Sequence, residues 1–163
     1  MKAAADIRLL KADADTCCAL SVLHGAAFAP QEERQWTADE FLELMQTPSI
    51  WTYGLYLDQL VAGFLMLQVV AGEAEIITIA MDPKWHGQGY AKHLLNYLHA
   101  LCLSQGISKV FLEVREDNLK AIKLYSKAGF VKKGVRQGYY QKQKGKPVDA
   151  LVFALVIDSI GNS

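Results

Sequence analysis

Apolar residues recur along the chain in two rhythms, and the rhythm changes from segment to segment. Residues 7–10 form a short apolar run of strand length. From 15 to 28 apolar residues fall at 19, 20, 22, 23, 26 and 27, a helix-like spread, with Pro30 beyond it as a stop signal. Thr37-Ala38-Asp39-Glu40 has capping-box form, and Phe41, Leu42, Leu44 and Met45 continue it as a short second helix. The polar linker 29–36 reads as a solvated connection, although such loops also line binding sites. Segments 51–57 and 60–70 are rich in aromatic and β-branched residues and flank Asp58-Gln59, which predicts a hairpin. Ala71-Gly72 turns the chain again, and 75–81 adds a third strand.

The second half repeats this alternation at longer spacing. Between 91 and 103, Leu94, Leu95, Leu98, Leu101 and Cys102 share one face, predicting an amphipathic helix that Gly106 closes. Residues 109–115 read as a strand with Val110, Leu112 and Val114 on one side and Phe111, Glu113 and Arg115 on the other. Asn118 opens a further helix that stops at Gly129. A strand follows over 130–136, then Tyr139-Tyr140, a lysine-rich loop over 141–146, and a closing apolar strand over 150–157. With no internal repeat or linker, residues 1–163 read as one α/β domain.

Composition narrows the possibilities. Apolar residues make up 52% of 163, enough for a packed core and too many for a disordered chain. Seventeen basic residues balance seventeen acidic ones, which argues against a general nucleic-acid-binding surface. Cys17, Cys18 and Cys102 lack disulfide or metal spacing, as expected of a reducing cytoplasm. The four histidines have no metal-ligand spacing either, so no metal site is expected. No apolar stretch reaches the roughly 20 residues of a membrane span, and the first residues lack a signal-peptide core. The expectation is a cytoplasmic protein that binds no membrane.

The candidate chemistry begins at Met81-Asp82-Pro83-Lys84-Trp85-His86-Gly87-Gln88-Gly89-Tyr90-Ala91-Lys92. An apolar run, a glycine-rich turn and a helix start together aim backbone N–H groups at an anion. The turn is neither a Walker loop nor a dinucleotide fingerprint. Alone, it is as well explained by a tight turn with no ligand.

Downstream, Leu112-Glu113-Val114-Arg115 leads into Asn118-x-x-Ala121-Ile122-x-Leu124-Tyr125-x-x-x-Gly129-Phe130. A strand followed by that helix resembles the second half of the GCN5-related N-acetyltransferase (GNAT) superfamily, and Gly87-Gln88-Gly89-Tyr90-Ala91 resembles its pyrophosphate loop. The likeness runs from Ile7 to Ile157. The Glu-Val-Arg strand, the Tyr139-Tyr140 pair and Asp149-Ala150-x-x-x-x-Leu155 are most similar to the RimI type, which acetylates the N-terminal alanine of a small-subunit ribosomal protein. Two positions depart from the pattern. His86 stands where the family has Gln or Arg, and Gln141 stands where that type has Pro.

The resemblance implies a GNAT fold, a mixed and mostly antiparallel central sheet with helices on both faces. It implies acetyl-CoA as donor and a protein N-terminus, such as that of a ribosomal protein, as acceptor. The backbone of Ile79, Ala80 and Met81 would run along the cofactor, Gly87, Gln88, Gly89, Tyr90, Ala91 and Lys92 would cradle its phosphates, and Asn118 would contact it. Direct transfer needs a base for the amine and an acid for the leaving thiolate. Glu113, among apolar neighbours, suits the base, the alternative being a plain ion pair with Arg115 or a lysine. Tyr125 suits the acid, a phenol being able to protonate a thiolate. Read singly, Tyr125 is as well a core tyrosine and Asn118 a helix N-cap. Tyr139 and Tyr140 would flank the acceptor. A small amine, polyamine, antibiotic or lysine side chain remains an open acceptor on the same fold, and a non-catalytic CoA-binding module remains a further alternative.

Overall fold

The computed structural model describes residues 4–140 and 145–158. Its elements run β1 (Asp6–Leu9), α1 (Ala14–Phe28), α2 (Ala38–Met45), β2 (Ile50–Leu57), β3 (Leu60–Val70), β4 (Glu73–Met81), α3 (Tyr90–Gln105), β5 (Lys109–Arg115), α4 (Leu119–Lys127), β6 (Val131–Tyr140) and β7 (Val148–Val156). Every expected helix and strand is present. The largest shift in a boundary is in β6, which continues to Tyr140 and brings the tyrosine pair into the sheet.

Local chemistry explains the helix ends. Asp13 caps α1 by accepting from Thr16 N at 2.8 Å, and Thr37 and Glu40 close a full capping box on α2. Asn118 caps α4, its Oδ1 accepting from Ala121 N at 3.2 Å. Helix α3 ends on Gly106, whose φ of 68° is the left-handed conformation that glycine adopts without a Cβ penalty.

The seven strands form one sheet in the order β1-β2-β3-β4-β5-β7-β6. All neighbours are antiparallel except β4 and β5. Strand β3 is buried on both sides, and its alternation assigns each residue to a layer. Leu65 and Leu67 join Leu94, Leu95, Leu98 and Cys102 of α3 and Tyr125 of α4 in the larger core. Phe64 and Met66 join Cys17, Leu20 and Leu23 of α1 and Phe41 of α2 in the smaller one. The helices therefore cover both faces.

The parallel pairing of β4 with β5 is short. It joins Glu73–Ile76 to Lys109–Leu112 and goes no further. On its other side β4 stays paired to β3 as far as Met81, with Ile77 an extra residue between the pairs at Ile76 and Thr78. A bulge bends and twists its strand, and this one sits where β4 and β5 part company. The β5-facing edge of Thr78 to Met81 is left without a strand beside it, and the cleft opens at the centre of the sheet.

Candidate active site

One wall of the cleft comes from a continuous stretch of chain. Ile79, Ala80 and Met81 carry the free edge of β4, and Asp82 turns the chain by accepting from Lys84 N at 3.0 Å. Gly87 and Gly89 have φ of 75° and 83°, both in the left-handed region. Gly89 occupies the N-cap of α3 and offers no side chain to the helix's first turn. The first-turn N–H groups at Tyr90, Ala91 and Lys92 thus stand at a helix end that no capping side chain closes, beside the exposed Gln88 and Lys92. A Cβ on Gly87 would meet nothing within 4 Å, so there is open space over that backbone. These donors suit a diphosphate.

The irregular residue of this turn has a local explanation. His86 does not extend toward the glycines. Its Nε2–H donates to the Met81 carbonyl at 3.0 Å and ties the turn back to the end of β4.

The other wall is assembled across strands, from β5, α4 and β6 together with the loop between α1 and α2. Glu113 lies on β5 as expected, but not in apolar isolation: Arg136 Nη1 of β6 donates to its Oε1 at 2.6 Å. The sequence suggested Arg115 or a lysine as its only ionic alternatives. Register explains the difference. Glu113 and Arg115 point to the same face, and Arg136 reaches the same face across Ala150 of β7. Arg136 also stacks on Tyr139, 4.0 Å from the ring centre.

Arg115 is used differently. It is 3% exposed. Its Nε and Nη2 donate to the two carboxylate oxygens of Asp117, each at 3.0 Å. Its Nη1 lies 3.9 Å from Oε1 of Glu33, and its guanidinium sits 5.5 Å from the Tyr140 ring centre. Burial holds the Glu33 carboxyl above the usual carboxylate range, against the pull of Arg115. Tyr140 is also raised, first by burial and then by the nearby charges of Glu33 and Glu113.

Tyr125 of α4 is 6% exposed and packs edge-on against Phe130 at 5.7 Å. Burial, and then proximity to Tyr140, raises its pKa well above the ordinary tyrosine value, so the phenol keeps its proton at every physiological pH. Among the described residues it makes no hydrogen bond. It is a core tyrosine by burial with an unengaged hydroxyl. Asn118, by contrast, has its side-chain oxygen occupied by capping, leaving the amide nitrogen for any further contact. Tyr139 and Tyr140 pack edge to face at 5.1 Å and end β6 beside Glu113 and Arg115. Gln141 lies outside the described residues. Cys102 is fully buried and its thiol is pushed up to about 11, consistent with core and not with a nucleophile.

Glu33 was not anticipated, because the 29–36 linker read as solvated. The structure pins that linker instead. Ser21 Oγ donates to the Trp36 carbonyl at 2.6 Å, Gln35 Nε2 donates to the Ser21 carbonyl at 2.8 Å, and Trp36 N donates to Nδ1 of the buried His24 at 3.3 Å. A Cβ on Gly25 would lie 2.6 Å from Gln35 Cδ, so loop and helix touch there. Only the close Ser21-to-Gly25 spacing of small residues on α1 hinted at such an approach.

A mixed sheet parted between two parallel strands, with a glycine turn and an uncapped helix end on one side and tyrosines and carboxylates on the other, has the form of a group-transfer domain suited to an anionic donor. The chain belongs to the GNAT family of acetyltransferases, whose family model matches residues 18–130. It is accordingly an acyl-CoA-dependent N-acetyltransferase by family. It is 38% identical over 100 residues to a ribosomal protein bS18-alanine N-acetyltransferase of Haemophilus ducreyi, an alignment covering 61% of this chain and 68% of that one. The corresponding Escherichia coli enzyme is 38% identical over 96 residues, covering 59% of this chain and 64% of its own length. The crystal structure of the ribosomal-protein-S18-alanine N-acetyltransferase from Escherichia coli superposes with a TM-score of 0.85 at 29% identity, covering 98% of each chain.

Proposed function

We propose that the chain transfers the acetyl group of acetyl-CoA to the N-terminal α-amino group of a protein, a ribosomal protein of the bS18 kind in the cytoplasm. The observation that carries this reading is the Tyr125 phenol, which keeps its proton and stands near Tyr140 on the side that holds Glu113, together with a helix end at Gly89 that no side chain caps. The relatives named for the same reaction support the choice of acceptor.

In this reading the turn at Gly87 to Lys92 binds the diphosphate, and the free edge of Ile79, Ala80 and Met81 aligns the pantetheine arm. Asn118 contributes its amide nitrogen. Acetyl-CoA supplies an acetyl group activated as a thioester. Glu113 removes the proton from the attacking amine, and Tyr125 gives its proton to the departing sulfur. Tyr139 and Tyr140 border the acceptor. An α-amino group, with a pKa of about 7.7–8.0, yields its proton more readily than a lysine at about 10.4, which favours a terminal amine at neutral pH.

The test is acetyl transfer to peptides bearing Ala, Ser or Met termini, read by mass spectrometry, beside a polyamine and a peptide whose only amine is a lysine. N-terminal acetylation of the alanine peptide is expected. Product on the polyamine or lysine alone would replace the acceptor, and acetyl-CoA binding without any product would reduce the chain to a binding module.

A further inference from the structure

Of the two carboxylates on the acceptor side, Glu113 is engaged by Arg136 at 2.6 Å, whereas Glu33 is not saturated. Its side chain is only 25% exposed, yet the nearest cation is 3.9 Å away, beyond hydrogen-bond range. That cation, Arg115, already donates twice to Asp117. Among the described residues, no donor hydrogen-bonds the Glu33 carboxylate. A carboxylate accepts up to about four hydrogen bonds, and this one, partly sheltered and reached by solvent, keeps that capacity open for an incoming donor.

The position of Glu33 is also fixed. Glu32 takes a left-handed φ of 56°, which reverses the chain after the 3-10 turn Ala29–Gln31. The following residues are fastened to α1 through Ser21, His24 and the gap at Gly25. The loop therefore carries Glu33 from the α1 side of the sheet to the end of β5, beside Tyr140. A loop held at Ser21, His24 and Gly25 thus presents a carboxylate with no protein donor on it, which suits a donor-rich cation.

We propose that Glu33 is a specificity-determining residue that docks the positively charged end of the acceptor amine, ahead of its deprotonation and attack. This rests on the acetyl-transfer reading. An α-amino group at neutral pH arrives mostly as an ammonium with three N–H donors. The carboxylate of Glu33 and the ring of Tyr140 together offer it one charged and one aromatic surface.

The experiment compares wild type, Glu33→Gln and Glu33→Asp in steady-state acetylation of an alanine-terminated peptide. It adds fluorescence-anisotropy binding of that peptide and of its desamino analogue. Glu33→Gln should raise the acceptor KM by about ten- to hundredfold, as for loss of a charge-assisted bond, with kcat and the acetyl-CoA KM little changed. Glu33→Asp should recover part of the loss. Wild type should prefer the free amine to the desamino peptide, and Glu33→Gln should not.

An unchanged acceptor KM in Glu33→Gln, or no preference for the free amine in wild type, overturns the proposal. So does a fall in kcat and melting temperature with unchanged preference, which would make Glu33 a clamp for its loop. If the free-amine peptide binds through Glu33 but is never acetylated, the docking role stands and the transfer reading fails.

Discussion

Lowering the pH should loosen this protein through one buried imidazole. His24 is 1% exposed, stacked on Trp36 at 4.8 Å and packed against Phe28 and Phe41. Its Nδ1 accepts from Trp36 N, which requires the neutral ring. Burial, aided by the charge of Arg34 and opposed by that of Glu40, lowers its pKa from 6.5 to about 4. The unfolded chain then binds a proton that the folded one refuses, so stability falls as pH drops from about 6.5 toward 4 and is fully present above 6.5. A shift of about 2.5 units corresponds to about 3 kcal/mol once both forms are protonated, of which about 2 kcal/mol is lost by about pH 5. That is a large part of the 5–15 kcal/mol typical of a domain.

Urea unfolding at intervals from about pH 7.5 to 5 measures it, with His24→Phe as reference. The phenylalanine keeps the stacking but strands the Trp36 N–H, so that variant should start about 1–3 kcal/mol less stable. The decisive quantity is the difference in pH slope between the two chains, since Glu33 and the exposed carboxylates titrate in both. Wild type should lose about 2 kcal/mol more than His24→Phe over this range. Parallel slopes would refute the buried neutral histidine.

Three further outcomes bear on the site. Tyr125→Phe should cut kcat by about a hundredfold, the usual scale of a general acid, with the acetyl-CoA KM little changed; an undiminished rate rejects the acid role. Because burial raises the Tyr125 pKa, the alkaline limb of the wild-type profile should lie beyond the ordinary tyrosine value of about 10. Glu113→Gln should cut kcat by at least about tenfold with the acetyl-CoA KM little changed, and an undiminished kcat removes it as base. Gly63→Ala would place a Cβ 2.8 Å from the Ala80 carbonyl oxygen and against the Met81 side chain. It should cost about 1–3 kcal/mol in urea unfolding and raise the acetyl-CoA KM by displacing the free edge of β4, and wild-type values for both would show that the strand is not held there.

The two walls of the cleft differ in how far the sequence discloses them. The donor wall is one contiguous run from the end of β4 to the first turn of α3. Its devices are local: glycines at positive φ, a proline turn and an amphipathic stripe. Such features follow from backbone chemistry and are legible from residue order. The hairpin of β2 and β3 and the third strand after it were legible too, but the early end of the β4–β5 pairing was not, since the bulge at Ile77 depends on how three strands settle against one another. The partner of Glu113 was missed for the same reason. Arg136 is 23 residues away and reaches Glu113 only across a third strand.

The acceptor wall therefore has a different physical origin from the donor wall. It brings Glu33, from the loop between α1 and α2, to Glu113 and Arg115 of β5, Tyr125 of α4, and Tyr139 and Tyr140 of β6, so a distant loop meets three successive elements. What fixes Glu33 is the loop's attachment to His24, Ser21 and Gly25 on α1, behind the site and away from the cleft. A substitution there can move the Glu33 carboxylate without touching the donor wall. Acceptor choice can thus change on this scaffold while the diphosphate turn stays constant. It follows that protonation of His24, which forbids its bond from Trp36 N, should loosen the loop and raise the acceptor KM below about pH 5 before acetyl-CoA binding weakens.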